Sequence, residues 1–294
     1  MSWLQLTLTA GKPEALALET LLEEAGAVSV SLTDAGDEPL LEPKPGEAPI
    51  WTEVNITALF EADANATALR EFVTDQFPAS AATLKIEELA DREWLTEWQR
   101  DAKPLNFGGR LWVVPDEQLA TGDMPVTVVL EPGLAFGTGD HPTTSMCLNW
   151  LDAQDLSGKT VMDYGCGSGL LALAALKLGA SRAFGTDIDD QAVTASRRNA
   201  ERNQVSEQFT VWTAGEEPDQ QYDLVVANIL SGILIELSST LTGQVCPGGE
   251  LVLTGILATQ ADAVIAAYPD FDMLVAREND GWVLITGRKR NSTA

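Results

Sequence analysis

The sequence predicts two α/β units in series: a small α+β domain, then a doubly wound, mostly parallel sheet closed by an antiparallel hairpin. Three observations carry this. The first 90 residues read β-α-β-β-α-β, with apolar spacing switching between a period of two and a period near 3.6. From Thr160 onward, short apolar strands alternate with helical stretches, as in a parallel sheet flanked by helices. The last two strands are joined by Asn279-Asp280-Gly281, and Asp-Gly is a strong hairpin signal. A length of 294 residues suits two domains. With 45% apolar and 21% charged residues, the chain can bury sizeable cores, which excludes collagen-like, low-complexity and disulfide-stapled classes.

In the first domain, Trp3–Thr9 alternates apolar and polar residues and reads as a half-buried strand. Pro13-Glu14 opens a helix with Leu18, Leu21, Leu22 and Ala25 on one face, and Gly26 stops it. Strands follow at Ala27–Thr33 and, after a Pro/Gly/Asp-rich loop over 34–49, at Glu53–Phe60. A helix over Asn65–Phe77 and a strand over Thr83–Leu89 complete a split βαβ, ferredoxin-like order. Asp91–Asp101 carries Trp94, Leu95 and Trp98 at helical spacing and reads as a linker helix ending before Pro104.

In the second domain, strands are expected at Thr160–Met162, Ala183–Thr186, Phe209–Trp212, Tyr222–Ala227 and Glu250–Thr254. Helices are expected at Leu170–Leu178, Gln191–Asn203 and Ile233–Val245, and the hairpin strands at Met273–Glu278 and Trp282–Gly287. The Arg288-Lys289-Arg290 stretch reads as a solvated tail.

Charge and cysteine usage narrow the function classes. The net charge is −26, with 44 acidic against 18 basic residues, which opposes tight, unassisted binding to nucleic-acid phosphates and suits a basic partner, a salt-rich interior, or a generally acidic solvated surface with no partner. Cys147, Cys166 and Cys246 lie too far apart for a CxxC clip, and with the single His141 they are too few for a structural zinc site, so no metal is expected. No basic-then-apolar leader and no run of about 20 apolar residues is visible, so a cytoplasmic, non-membrane protein is expected.

The first strand of the second sheet runs into Asp163-Tyr164-Gly165-Cys166-Gly167-Ser168-Gly169 and then a helix. Glycines here let the backbone turn sharply and let a ligand approach the strand ends. A dinucleotide fingerprint needs another glycine where Leu170 stands, so the GxGxG spacing instead resembles the nucleotide loop of class I methyltransferases, whose ligand is S-adenosylmethionine. Tight strand–helix packing alone also explains such a turn. The second strand ends in Thr186-Asp187-Ile188-Asp189, and a carboxylate at Asp187 suits both hydroxyls of an unphosphorylated ribose. Asp189 fits helix N-capping better. Asp163 would meet the methionine ammonium directly or through water.

The fourth strand ends in Ala227-Asn228-Ile229-Leu230-Ser231. It lacks the Pro-Pro-aromatic continuation with which methyltransferases of planar amide or adenine nitrogens hold their acceptors, which argues against those acceptors and allows an aliphatic amine; the alternative for Asn228 is a helix cap. Upstream, Glu131–Thr144 packs three glycines and two prolines into a stiff loop. Phe136 there can cover an adenine or methionine face, and the Thr143 and Thr144 hydroxyls can bond the cofactor carboxylate. His141 is the only candidate imidazole base, with a structural role as its alternative.

This loop, the Asp163–Gly169 stretch, Asp187-Ile188-Asp189 and Asn228-Ile229-Leu230 together resemble the PrmA family, which methylates large-subunit ribosomal protein eleven. The opening Trp3-Leu-Gln-Leu, Glu24-Ala-Gly-Ala-Val-Ser and Trp94-Leu-Thr-Glu-Trp98 extend the likeness over nearly the whole chain. The resemblance implies a ferredoxin-like domain over 1–90 that captures the ribosomal protein, free or on the ribosome. It further implies a linker helix over 91–104 and a class I methyltransferase domain over 105–294. The implied reaction is trimethylation of lysine side-chain and N-terminal amines. By motif, cofactor contacts fall on Thr144, Gly165, Asp187 and Asn228. The residues themselves add Asp163, Gly167, Phe136 and Thr143 as cofactor contacts, with Asn228 and His141 as catalytic candidates. Glu131, Asp140 and Tyr164 depart from the usual Asp, Thr and Phe. Water, a backbone carbonyl near Asn228, or His141 remain open as proton acceptor.

Overall fold

The computed structural model describes residues 2–36, 50–90, 103–115, 120–130 and 141–291. The expected linker helix over 91–101, Phe136, and the departures at Glu131 and Asp140 lie outside them. The chain forms two compact units, residues 1–94 and 95–294.

In the first unit, β1 (Ser2–Gly11), α1 (Lys12–Glu24), β2 (Ser29–Asp34), β3 (Glu53–Glu61), α2 (Ala66–Gln76) and β4 (Lys85–Ala90) follow the expected order. The antiparallel sheet runs β2-β3-β1-β4, the ferredoxin-like arrangement. Its register sets apolar side chains opposite one another, with Leu4, Leu6, Leu8 and Ala10 facing Phe60, Ala58, Ile56 and Val54. All eight are buried, beneath Ala15, Leu18 and Leu22 of α1 and Leu69 and Val73 of α2. Each fully buried leucine stabilises the fold by about 1.5–3 kcal/mol. Asn65 starts α2 by accepting from the amides of Thr67 and Ala68, both at 3.1 Å. Ala25, expected on the apolar face of α1, instead caps the helix and is exposed, because Gly26 turns the chain at φ +96°.

The second unit opens with β5 (Leu105–Phe107), β6 (Leu111–Val114) and β7 (Val126–Val129), a three-stranded sheet, and α3 (Pro142–Asp152). Next come β8 (Thr160–Tyr164), α4 (Leu170–Lys177), β9 (Arg182–Asp187), α5 (Asp190–Arg202), β10 (Phe209–Thr213) and β11 (Tyr222–Asn228). The chain ends with α6 (Ser231–Glu236), α7 (Ser238–Gln244), β12 (Val245–Leu257), α8 (Ala261–Ala266), β13 (Phe271–Asn279) and β14 (Trp282–Lys289). These strands form a seven-stranded sheet in the order β10-β9-β8-β11-β12-β14-β13, parallel from β10 to β12 and antiparallel at β14 and β13. Winding reverses between β8 and β11, so the connections leave their carboxyl ends in opposite directions and a crevice opens there. At the hairpin, Asp280 and Gly281 take φ +53° and +77°, as a tight Asp-Gly turn requires.

Several expectations change. The single helix over Ile233–Val245 is two short ones broken at Leu237, where the Ser238-Ser239-Thr240 run lowers helix propensity. Val245 already belongs to β12, paired with Tyr222. Strands β5–β7 and helices α3 and α8 were not expected; their apolar runs are too short to show a period. The Arg288-Lys289-Arg290 tail is tied down rather than solvated. Lys289 Nζ donates to the carbonyls of Thr242 and Val245 at 2.6 and 2.7 Å, and Arg290 Nε meets Asp272 Oδ1 at 2.7 Å.

Two buried asparagines, Asn199 on α5 and Asn203 at its C-cap, hold the core together. Asn203 accepts from the Val129 amide at 2.8 Å and donates to the Val129 and Asn199 carbonyls at 2.6 and 2.8 Å. Asn199 in turn donates to the Ser168 carbonyl at 2.9 Å. Replacing Asn203 with Ala strands both backbone groups of Val129 in the interior. A loss of about 2–4 kcal/mol is expected, read as an earlier urea-unfolding transition.

Candidate active site

The crevice at the carboxyl ends of β8 and β11 holds a cavity of about 800 Å³. It takes in His141, Thr143, Thr144, Asp163, Gly165, Gly167, Asp187 and Asn228, so every predicted site residue that is described lines one space.

The loop after β8 is built for close backbone approach. Gly165, Gly167 and Gly169 take φ +74°, +52° and +80°. A Cβ on Gly165 would also run into the Ile229 side chain, so glycine is required there on two counts. The Gly165 and Cys166 amides donate to the Thr186 carbonyl at 2.8 and 3.0 Å, which fastens the loop to β9.

Two carboxylates flank this loop. Asp187 Oδ2 accepts from the Gly167 amide at 2.8 Å, and its Oδ1 accepts from the Asp189 amide at 3.0 Å. Each oxygen keeps a further lone pair for a ligand hydroxyl. Asp189 caps α5 through the Gln191 amide at 2.8 Å, as expected. Asp163 is 1% exposed and accepts from the Ala172 amide at 3.1 Å. Burial pushes its carboxyl up to about 7; that hydrogen bond opposes the rise, and the nearby Asp187 charge adds to it.

Across the cavity, Asn228 Nδ2 donates to Thr144 Oγ1 at 3.1 Å, which leaves Asn228 Oδ1 as an acceptor. The next helix is capped at Leu230, so Asn228 is no N-cap. Thr143 and Thr144 are buried in the first turn of α3. His141 is the N-cap of α3, its Nδ1 lying 2.7 Å from Thr143 Oγ1 and 3.4 Å from the Thr143 amide. Its ring meets Trp282 edge-on at 5.3 Å. Cys166 also lines the cavity, but burial pushes its thiol up, so it stays protonated and poorly nucleophilic. Burial raises the Tyr164 phenol as well, and the Glu217 carboxylate adds to the rise. Among the described residues, no group of three His, Cys, Asp or Glu side chains is placed to hold a metal.

The sequence did not single out Ile188, Ala214, Gly215, Leu230, Ile233, Glu236 or Trp282 as functional, yet all line the cavity. Ile188 is 88% exposed, unusual for a large apolar side chain beside an acid motif. Trp282 had a legible signal. It opens an antiparallel strand, whose start lies at the carboxyl-end edge of its parallel neighbours, and it pairs there with Leu257.

The family model described as Ribosomal protein L11 methyltransferase (PrmA) matches residues 2–290. The chain belongs to the PrmA family. Relatives named ribosomal protein L11 methyltransferase are 48% identical in Pseudomonas aeruginosa, over 292 residues and 99% of both chains. In Hahella chejuensis the identity is 47% over 290 residues, covering 98% of this chain and 99% of the relative. The solved structure of a ribosomal protein L11 methylase from Lactobacillus delbrueckii subsp. bulgaricus is 30% identical, with a TM-score of 0.58. It covers 64% of this chain and 100% of that one. The expected class I methyltransferase fold is thus the fold of a PrmA methyltransferase.

Asp163 makes the second unit pH-sensitive. Its carboxyl binds a proton more tightly folded than unfolded, so stability is fully present near pH 4 and falls as pH rises to about 7. Asp163→Asn keeps an acceptor for the Ala172 amide and removes the titration. Urea unfolding across that range is expected to show a slope in the parent protein and a flatter profile in the variant.

Proposed function

We propose that this protein transfers methyl groups from S-adenosylmethionine to lysine side-chain and N-terminal amines of large-subunit ribosomal protein L11, up to the trimethylated state. The observation that carries the reading is the pair of carboxylates at the two ends of the glycine loop, Asp163 and Asp187, facing the Asn228–Thr144 pair within one cavity. The residues fit the cofactor. A buried carboxylate raised by burial suits a ligand ammonium, a strand-end carboxylate suits ribose hydroxyls, and a glycine loop admits a nucleoside body. Thr144 accepts from Asn228 and so keeps its hydroxyl proton for the ligand carboxylate; Thr143, Gly165 and Gly167 complete the contacts. Phe136 is proposed to cover the ligand.

When bound, S-adenosylmethionine supplies a methyl group already activated on a sulfonium, so the chain's residues mainly align the acceptor. Asn228 Oδ1 accepts an N–H of the incoming amine and aims its lone pair. An ordinary lysine, with a pKa near 10.4, is less than about 1% neutral at pH 7. The half-buried apolar walls of Leu237 and Trp282 disfavour the ammonium and promote loss of its proton. Water then takes that proton, while a carbonyl beside Asn228 accepts a hydrogen bond from an N–H of the amine.

Residues 1–90 are proposed as the unit that captures L11, 91–104 as a linker helix, and 105–294 as the catalytic domain. The 1–90 segment carries 16 acidic and 4 basic residues, suited to a basic ribosomal protein rather than to RNA. A cytoplasmic location follows from that substrate. Among the described residues, no helix is long and apolar enough to cross a membrane.

Incubation with methyl-labelled S-adenosylmethionine and separated ribosomal components tests the reading. Label is expected on L11 alone and lost on deletion of residues 1–90, while S-adenosylhomocysteine binding survives; label on RNA or small molecules would overturn the substrate. His141→Ala is expected to keep most activity while costing about 1 kcal/mol of stability through the lost cap. Abolished turnover with intact cofactor binding would make His141 the base.

A further inference from the structure

Three carboxylates line the cavity, and two of them are already engaged by backbone amides. Asp187 spans the Gly167 and Asp189 amides, and Asp163 holds the Ala172 amide. The third, Glu236, stands on the other side of Asn228, on the helix that follows it. It is exposed, and among the described residues no partner engages it. Ile233 lies one turn before it on the same face and is 43% exposed; Leu230 precedes the helix and is 52% exposed. The outer face of Ser231–Glu236 therefore offers an apolar ledge that ends in a single negative charge. That matches a lysine side chain, a methylene stem carrying an ammonium.

We propose that Glu236, with Leu230 and Ile233, forms the lip that selects a cationic amine and guides it toward Asn228. The inference rests on the methyl-transfer reading and deepens it by assigning the acceptor's path. A carboxylate favours the charged amine, so Glu236 acts in capture at the mouth, not at the reacting nitrogen. Removing it then raises KM without lowering kcat, whereas removing a proton acceptor would lower kcat.

The test compares the full-length protein with Glu236→Gln and Glu236→Asp, using purified L11 as acceptor. The expected result for Glu236→Gln is a KM for L11 raised about three- to fivefold, with kcat unchanged within about 1.5-fold. Binding of L11 to the S-adenosylhomocysteine complex should weaken in parallel, binding of S-adenosylhomocysteine itself should stay unchanged, and Glu236→Asp should recover part of the loss. Unchanged KM and L11 binding, a fall in kcat alone, or weakened S-adenosylhomocysteine binding would each overturn the inference. If the parent protein binds S-adenosylhomocysteine but methylates no amine of L11, the proposed function fails instead, whatever the variants do.

Discussion

The reversal of winding between β8 and β11 is the constraint on which the rest of the site depends. These strands pair in parallel from Leu224–Val161 to Ala227–Tyr164, and their exits diverge. No helix can close the gap above them without crossing a connection, so the crevice comes from the strand order. Everything chemical then follows from what the sequence places just beyond the strand ends. Asp163 lies one residue before the end of β8 and the glycine loop, Asp187 ends β9, and Asn228 ends β11. Three side chains far apart in sequence meet because their strands stop on one edge.

The glycine loop is held from outside as well as from within. Cys166 and Gly165 hang on the Thr186 carbonyl, Gly167 on Asp187, and Ser168 on Asn199 of α5. Asn199 connects through Asn203 to Val129, the last residue of β7. A buried polar chain thus joins the loop to the three-stranded sheet that precedes the main one. Such chains are costly when broken, because each member leaves a backbone group with no water to turn to.

The strand–helix alternation and both glycine-loop carboxylates were legible because each rests on local pattern: period, turn chemistry, strand ends. The ferredoxin-like order was legible for the same reason. What the sequence hid depends on tertiary neighbours. The break at Leu237 divides a stretch whose apolar spacing reads as continuous. His141 looked like a base or a structural residue, and only the first turn of α3 shows it capping Thr143. Glu236 reaches the cavity through helix direction, which no motif encodes, whereas Trp282 was legible only as the opening residue of the final hairpin strand. The Arg288–Arg290 tail looked solvated because its acceptors are carbonyls of α7, β12 and the loop before β13, with the Asp272 carboxylate, invisible in a one-dimensional reading.

The final strand has an unusual address. Among the described residues β14 comes last in chain order, yet it lies between β12 and β13, and it brings Trp282 to the cavity wall. A chain emerging from a ribosome can form its first unit early, since all four strands of that sheet come from the first 90 residues. The second unit cannot complete its sheet until the closing residues are free, because β13 has no neighbour to pair with until β14 arrives. A prematurely terminated copy would therefore hold a finished first unit and an unfinished cavity.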